Sequence, residues 1–315
     1  MGLREGTALE SEASSSRTET GAMTTIIQAM EAIRAAQQAL NENAAQDRDE
    51  EDAAAATLDY PDHRARLGAV DLGGALAVDY YGDDHDGWAI AASALARPGV
   101  AAHIAQLRIA GPDEGANGLK TWDFTGLIAA APRFGKLTDL QIAASDPGDH
   151  NQAVVEDEQL PALLALMPAL RKLTLPQAPE PEFFDLDLPE LGFVRTGGDL
   201  RTRGFIGHLA QAQRLPSLRF VDFADSLAPF LSIEEQPADW SSTPFEDYER
   251  LMRSPTMERC WGLRLRNAKL SEAQYRALQA LRPQCQFSVV LAAPHCYVSH
   301  WGRSNFPHRH LLAFG

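Results

Sequence analysis

Residues 167–175 read MPALRKLTL. Leu173 and Leu175 are two apart, so in a strand they share one face, because side chains alternate along a strand. Leu170 falls three positions earlier, in the turn that leads in, and Pro168 suits a turn. Lys172 and Thr174 then point to the opposite face. The same frame recurs on both sides of this stretch: Ile104, Leu107, Ile109; Leu137, Leu140, Ile142; Leu191, Val194, Thr196; Leu218, Val221, Phe223; Cys260, Leu263, Leu265; and a weaker copy that begins at Cys285.

The copies start at 104, 137, 170, 191, 218, 260 and 285, so the steps are 33, 33, 21, 27, 42 and 25 residues. Regular leucine-rich repeats run roughly 20–29 residues. The longer steps imply inserted loops or extra helix. Helical patterns stand between the strands at Leu160–Met167, Phe205–Gln213 and Ser271–Leu281. Ser271 and Gln274 have capping-box spacing, and Leu270 with Tyr275 suits a hydrophobic staple. Strand, helix and strand in succession predict parallel strands joined by right-handed crossovers. The expected fold is α/β: an irregular leucine-rich-repeat solenoid, or horseshoe, with parallel strands inside and helices on the convex side. A compact doubly wound domain is the competitor, but it would have more uniform steps and a Gly-rich phosphate turn.

Around this core the chain divides by composition. Residues 1–22 are rich in Ser, Thr, Glu and Gly and are expected to be disordered, and Met23 is a second candidate start. Met23–Gln46 reads as a loosely attached amphipathic helix with Ile26, Met30, Ile33 and Leu40 on one side, or as a short self-associating one. The run Asp47–Asp52 reads as a solvated linker, which closes a first region at 1–59. Residues 60–99 form an N-terminal cap, with a strand at Ala75–Tyr81, a break at Gly82–Asp84 and a short helix at Trp88–Leu95. The solenoid spans 100–291, and 292–315 is an irregular tail.

The chain has 315 residues, and 45% of them are hydrophobic, ample for a core. No apolar run is long enough for a bilayer span, and the N-terminus has no secretory core, so neither a membrane nor a secreted setting is expected. Three cysteines, Cys260, Cys285 and Cys296, fit a reducing, cytoplasmic compartment better than a disulfide framework. Net charge is -15, which argues against general nucleic-acid binding. Residues 250–315 nevertheless carry ten bases against two acids. This basic end leaves weak nucleic-acid binding open, and it would also attract an acidic partner.

Several stretches resemble a known family: DYYGDDHDGW at 79–88, ALARPGVAAHIAQLRIAG at 94–111, QLPALLALMPALRKLTL at 159–175 and DLPELGFVRTGGDL at 187–200. They are similar to bacterial cytoplasmic leucine-rich-repeat proteins, whose marks are an acidic cap, irregular repeats and a Thr-Gly-Gly after one strand, here Thr196, Gly197 and Gly198. The resemblance covers roughly residues 60–290. The acidic, Trp-containing loop typical of that family is replaced here by ASDPGDHNQAVVEDEQ, which puts any role of that loop in doubt. The resemblance implies a binding scaffold rather than an activity.

No phosphate loop, dinucleotide fingerprint, nucleophile elbow or zincin helix occurs, so no catalytic residue and no cofactor is expected. Asp79, Asp83, Asp84 and Asp86 with His85 could offer a cation hard oxygen ligands, but the bland reading is a solvated turn. His295, Cys296, His300, His308 and His310 could bind zinc, but their spacing suits an irregular tail better. Trp301-Gly302-Arg303 resembles the name-giving tripeptide of the WGR domain and is read as chance. Cys260 and Cys285 sit at first apolar positions and read as small core residues.

The outward row of the strands holds the partner-contacting candidates: Arg108, Gln141, Lys172, Phe193, Arg195, Phe220, Asp222, Arg264 and Arg266, interleaved with Gln106, Asp139 and Thr174. Phe193 and Phe220 lie in neighbouring repeats beside arginines, the usual composition of an interface anchor. Alternatively a loop or terminal segment covers them as ordinary core. Seven strands at ~4.8 Å give a face about 29 Å long, roughly 400 Å² at a width of about 15 Å. That is half of one side of a standard interface.

Overall fold

The computed structural model describes residues 25–51, 65–111, 119–143, 152–156, 158–197, 201–225, 242–291 and 313–314. Each leucine frame forms a strand, and the strands stack in chain order. The strands are β1 (Arg66–Asp71), β2 (Leu76–Tyr81), β3 (Ile104–Ala110), β4 (Leu119–Trp122), β5 (Asp139–Ile142), β6 (Gln152–Val155), β7 (Lys172–Thr174), β8 (Phe193–Gly197), β9 (Phe220–Ala224), β10 (Gly262–Arg266), β11 (Gln286–Leu291) and β12 (Ala313–Phe314). The helices are α1 (Ile26–Glu51), α2 (Asp86–Leu95), α3 (Pro98–Ala101), α4 (Thr125–Ala130), α5 (Gln159–Ala165), α6 (Phe205–Gln211), α7 (Phe245–Arg253), α8 (Pro255–Arg259) and α9 (Glu272–Leu281).

Among the described residues the main sheet is open and ten strands wide, in the order β1-β2-β3-β5-β7-β8-β9-β10-β11-β12. Among the described strands of this sheet only β1 is antiparallel to its neighbour; β2 onward all run parallel. Strand order never reverses along the chain, as it would in a doubly wound sheet. Leu107, Ile109, Leu140, Ile142, Leu173, Val194, Val221, Phe223, Leu263 and Leu265 are buried on one face, in one continuous core with the helices. The helices touch one another in sequence from α1 with α2 through α4 to α5; a 3-10 turn at Pro181–Asp185 then bridges α5 and α6, and α6 packs on α7 and α7 on α9. The other face is exposed at Gln106, Arg108, Lys172, Arg195 and Arg264.

Several expectations need correction. The first helix runs on through the acidic stretch to Glu51, because no Gly or Pro between Gln46 and Glu51 stops it. Nor is it loosely attached. Ala29, Ile33, Ala36 and Leu40 are buried, and the helix packs on β1. Gln37 reaches the sheet edge, where its Oε1 accepts from the Leu67 amide at 2.5 Å and its Nε2 donates to the Ala65 carbonyl at 3.4 Å. An amide side chain thus satisfies backbone groups that an edge strand leaves open. The cap also gains a hairpin, since β1 turns into β2 through Gly73 and Gly74, whose φ values of 87° and 112° suit glycine. The two 33-residue steps hold β4 and β6, which pair as a separate two-stranded parallel sheet. Within the expected irregular tail, Ala313–Phe314 adds β12 to β11. The capping box on α9 is present with both its bonds, Gln274 N–H to Ser271 Oγ at 3.3 Å and Ser271 N–H to Gln274 Oε1 at 2.8 Å. Residues 1–22, Gly198, most of ASDPGDHNQAVVEDEQ and the histidine-rich tail lie outside the described residues.

The two faces of one strand should respond differently to truncation. Leu173→Ala is expected to lower unfolding free energy by about 2–5 kcal/mol, as buried leucine truncations do. Lys172→Ala should change it by about 0.5 kcal/mol or less. Urea unfolding of both variants, followed by circular dichroism, checks the assignment of faces.

Candidate functional site

Parallel pairing, shifted once at the start of β2 and in unbroken register from β3 to β11, lines up the outward residues into two ladders. One runs Gln106, Asp139, Lys172, Phe193, Phe220, Gly262, Gln286. The other runs Asp79, Arg108, Gln141, Thr174, Arg195, Asp222, Arg264, Ser288. All the outward candidates except Arg266 fall on these two rows. Arg266 lies one step further along β10, in register with Ala224 and, beyond it, Gly197.

The ladders differ between their halves. On β3, β5 and β7 the side chains are polar and of mixed charge, and Lys172 Nζ lies 3.7 Å from Asp139 Oδ2. Arg108 and Gln141 belong to this half and stand apart from the arginines of β8 and β10. Across β8, β9 and β10 the character changes. Phe193 stacks on Phe220 with centroids 5.6 Å apart and planes 13° apart, and Trp261 packs on Phe220 at 5.0 Å. Gly262 makes room for this cluster. A methyl group there would stand 2.4 Å from Phe220 Cδ2, so the ring lies directly over the glycine backbone. Trp261 is 53% exposed.

Beside the aromatics stands Asp222, only 2% exposed although it is on the outward face. Three guanidiniums surround it. Arg266 Nε donates to Oδ1 at 2.6 Å, and Arg195 Nε and Arg264 Nη1 each lie 3.8 Å from Oδ2. Arg266 also donates from Nη2 to the Thr196 carbonyl at 3.0 Å, which ties β10 to β9 and β8. The small residues Gly197 and Ala224 in its register leave room for it to fold back. One carboxylate against three guanidiniums leaves a local excess of positive charge. Partial burial and the neighbouring Arg266 push the Arg195 pKa below its ordinary value, with Arg264 adding to the shift and Asp222 opposing it.

Two carboxylates of the acidic cap have a structural explanation. In the acidic cap, Asp83 Oδ1 accepts from the amides of His85 at 3.0 Å and Gly87 at 2.9 Å, where it caps α2. Asp84 is buried. Its Oδ2 accepts from the Thr121 amide at 2.6 Å, and its Oδ1 lies 3.8 Å from Lys120 Nζ. Asp84 thus joins the cap to β4. Among the described residues no group of three or more His, Cys, Asp and Glu could hold a metal ion.

The bases of 250–291 do not form one stripe. Arg250, Arg253 and Arg276 pair with Asp247, Glu249 and Glu272 on their own helices. Arg282 donates to the Met252 and Ser254 carbonyls. Asp225, a third buried carboxylate, accepts from Thr243 N–H at 3.0 Å, Thr243 Oγ1 at 3.1 Å and Tyr248 Oη at 2.9 Å, and so pins α7 to the end of β9. A cleft of about 540 Å³ lies at the ends of β6 and β7. Its lining includes Glu156, Glu158, Glu180 and Glu182, with Arg203 paired to Glu180 at 2.8 Å.

Trp261 escaped the sequence reading although a signal was present. In the frame it stands one place after the first apolar residue, where other copies carry Ala105, Thr138, Arg171, Gly192 and Arg219. A tryptophan in that series is out of character for a turn. The burial of Asp222 had no such signal, because its alternation predicts exposure.

No protein-family model, curated protein or solved structure matches this chain. Among the described residues no helix is long and apolar enough to cross a membrane.

Cys260 and Cys285 are buried in the core. Burial pushes the Cys260 thiol up to about 11 and also raises Cys285. Neither therefore offers a thiolate near neutrality. Iodoacetamide at about pH 7.5 should leave both unlabelled in the folded protein and label them after denaturation, as mapped by peptide mass spectrometry.

Proposed function

We propose that this chain is a non-catalytic binding module, an irregular leucine-rich-repeat solenoid acting in the cytoplasm, that takes a protein partner on the open face of its strands. The observation that carries this reading is the exposed Trp261 beside stacked Phe193 and Phe220, next to three arginines gathered on one carboxylate. Aromatic and arginine side chains together are the usual composition of interface hot spots. Rigid strands hold them, so little ordering is left for binding to supply.

Size is consistent with a modest interface. Ten strands at ~4.8 Å give a face about 43 Å long, roughly 650 Å² at a width of about 15 Å. One side of a standard interface buries ~800 Å². The face is therefore large enough for a specific partner and small enough for a reversible one.

Tagged protein captured from native lysate, compared with an Arg195→Glu/Phe220→Ala variant, tests this proposal. The expected result is a partner enriched by the wild type and lost from the variant, with both giving the same circular dichroism spectrum. Equal capture by both forms would contradict it.

A further inference from the structure

We propose that the β8–β10 part of the open face recognises an acidic polypeptide segment carrying one bulky apolar side chain, a specificity that rests on the binding-face reading above. The three guanidiniums there are not equivalent. Arg266 is committed on both sides, to Asp222 and to the Thr196 carbonyl, and its side chain is 12% exposed. Arg195 and Arg264 each bring a single nitrogen to Oδ2 at 3.8 Å, and their side chains are 48% and 47% exposed. Their outer N–H groups are therefore presented to solvent, one on each side of Asp222 in register. Guanidinium forks of this kind match carboxylates in pairs.

The apolar half of the specificity lies two residues back along the same strands. Phe193 precedes Arg195 by two positions, as Phe220 precedes Asp222, so the aromatic row runs parallel to the cationic row at a distance of about 7 Å. Trp261 extends that row outward. An extended segment with an aromatic or leucine side chain two residues from a glutamate or aspartate spans the same ~7 Å and reaches both rows at once. A free phosphate or carboxylate would use only the arginines. A long nucleic acid would meet the field of a chain whose net charge is -15. The local cationic excess and the adjacent exposed tryptophan therefore favour a short acidic-apolar peptide over either.

The experiment uses the full chain and a fluorescein-labelled twelve-residue peptide, with one Phe flanked two positions away on each side by Glu and with Glu, Ser and Gly elsewhere. Binding is read by fluorescence anisotropy. Expected results are saturable binding that weakens as salt rises, and at least about tenfold weaker binding by Arg195→Gln/Arg264→Gln. Arg195→Lys/Arg264→Lys should recover part of that loss, and Trp261→Ala should bind several-fold more weakly. A matched peptide with Gln in place of Glu should not saturate. Thermal unfolding of each variant confirms that it is folded.

Absence of saturable binding at low salt would overturn the proposal. So would equal binding of the Gln peptide, equal binding by the arginine double variant, or tighter binding of a single-stranded oligonucleotide at the same site. If the peptide fails while lysate capture still depends on Arg195 and Phe220, the specificity is wrong and the binding face stands. If capture is also insensitive to both, the two fall together.

Discussion

Asp222 stands on the side of the sheet that otherwise meets water, yet it is almost completely covered, and three arginines from two neighbouring strands do the covering. A carboxylate withdrawn from solvent in this way must be paired, because burying it alone carries a large desolvation cost. The pairing gathers like charges that would otherwise repel, and it locks the spacing of β8, β9 and β10 through side chains as well as backbone. Arg266 adds a further tie by reaching the Thr196 carbonyl two strands away. The aromatic row beside it inherits this order. Phe220 can lie flat over β10 only because Gly262 presents no side chain, and its ring then supports both Phe193 and Trp261.

The rest of the molecule makes such a face possible by filling the opposite one. Each copy of the frame commits its alternate residues to a single apolar core beneath the helices, so the other set is left to polar, cationic or aromatic side chains. A stack of short parallel strands, one of only three residues, is held by this repetition rather than by the strength of any one strand. Its ends need separate protection. At the N-terminal end α1 covers the core, and Gln37 occupies backbone positions of β1.

Much of this was legible in the chain. The spacing Leu170, Leu173, Leu175 fixes strand position and face together, and parallel pairing of identical frames places Arg195, Asp222 and Arg264 in one row without further information. What could not be read depends on neighbours that the local pattern does not name. Asp222 looks like an exposed strand residue until the three arginines are assembled around it. The acidic turn at 83–86 reads as a solvated turn until Thr121 and Lys120, more than thirty residues away, are found on the buried Asp84. Strand β1 buries little beyond Leu67 and so shows no clear alternation, and β4 and β6, four residues each, pair among the described residues only with each other, inside stretches that the frame treats as insertions. The acidic run after Gln46 has the composition of a linker but lacks a breaker, and the helix continues through it.

The most direct test of the dependence on Asp222 is urea unfolding of Asp222→Asn, with Arg266→Met alone and combined with it. The substitution leaves the poorly exposed Arg266 guanidinium without its anion, and a loss of about 3–5 kcal/mol is expected for breaking such a pair from one side. The combined variant should recover part of that loss, giving a clear coupling between the two positions. Stability of Asp222→Asn within about 0.5 kcal/mol of the parent, or strictly additive effects, would mean that the carboxylate does not organise this face.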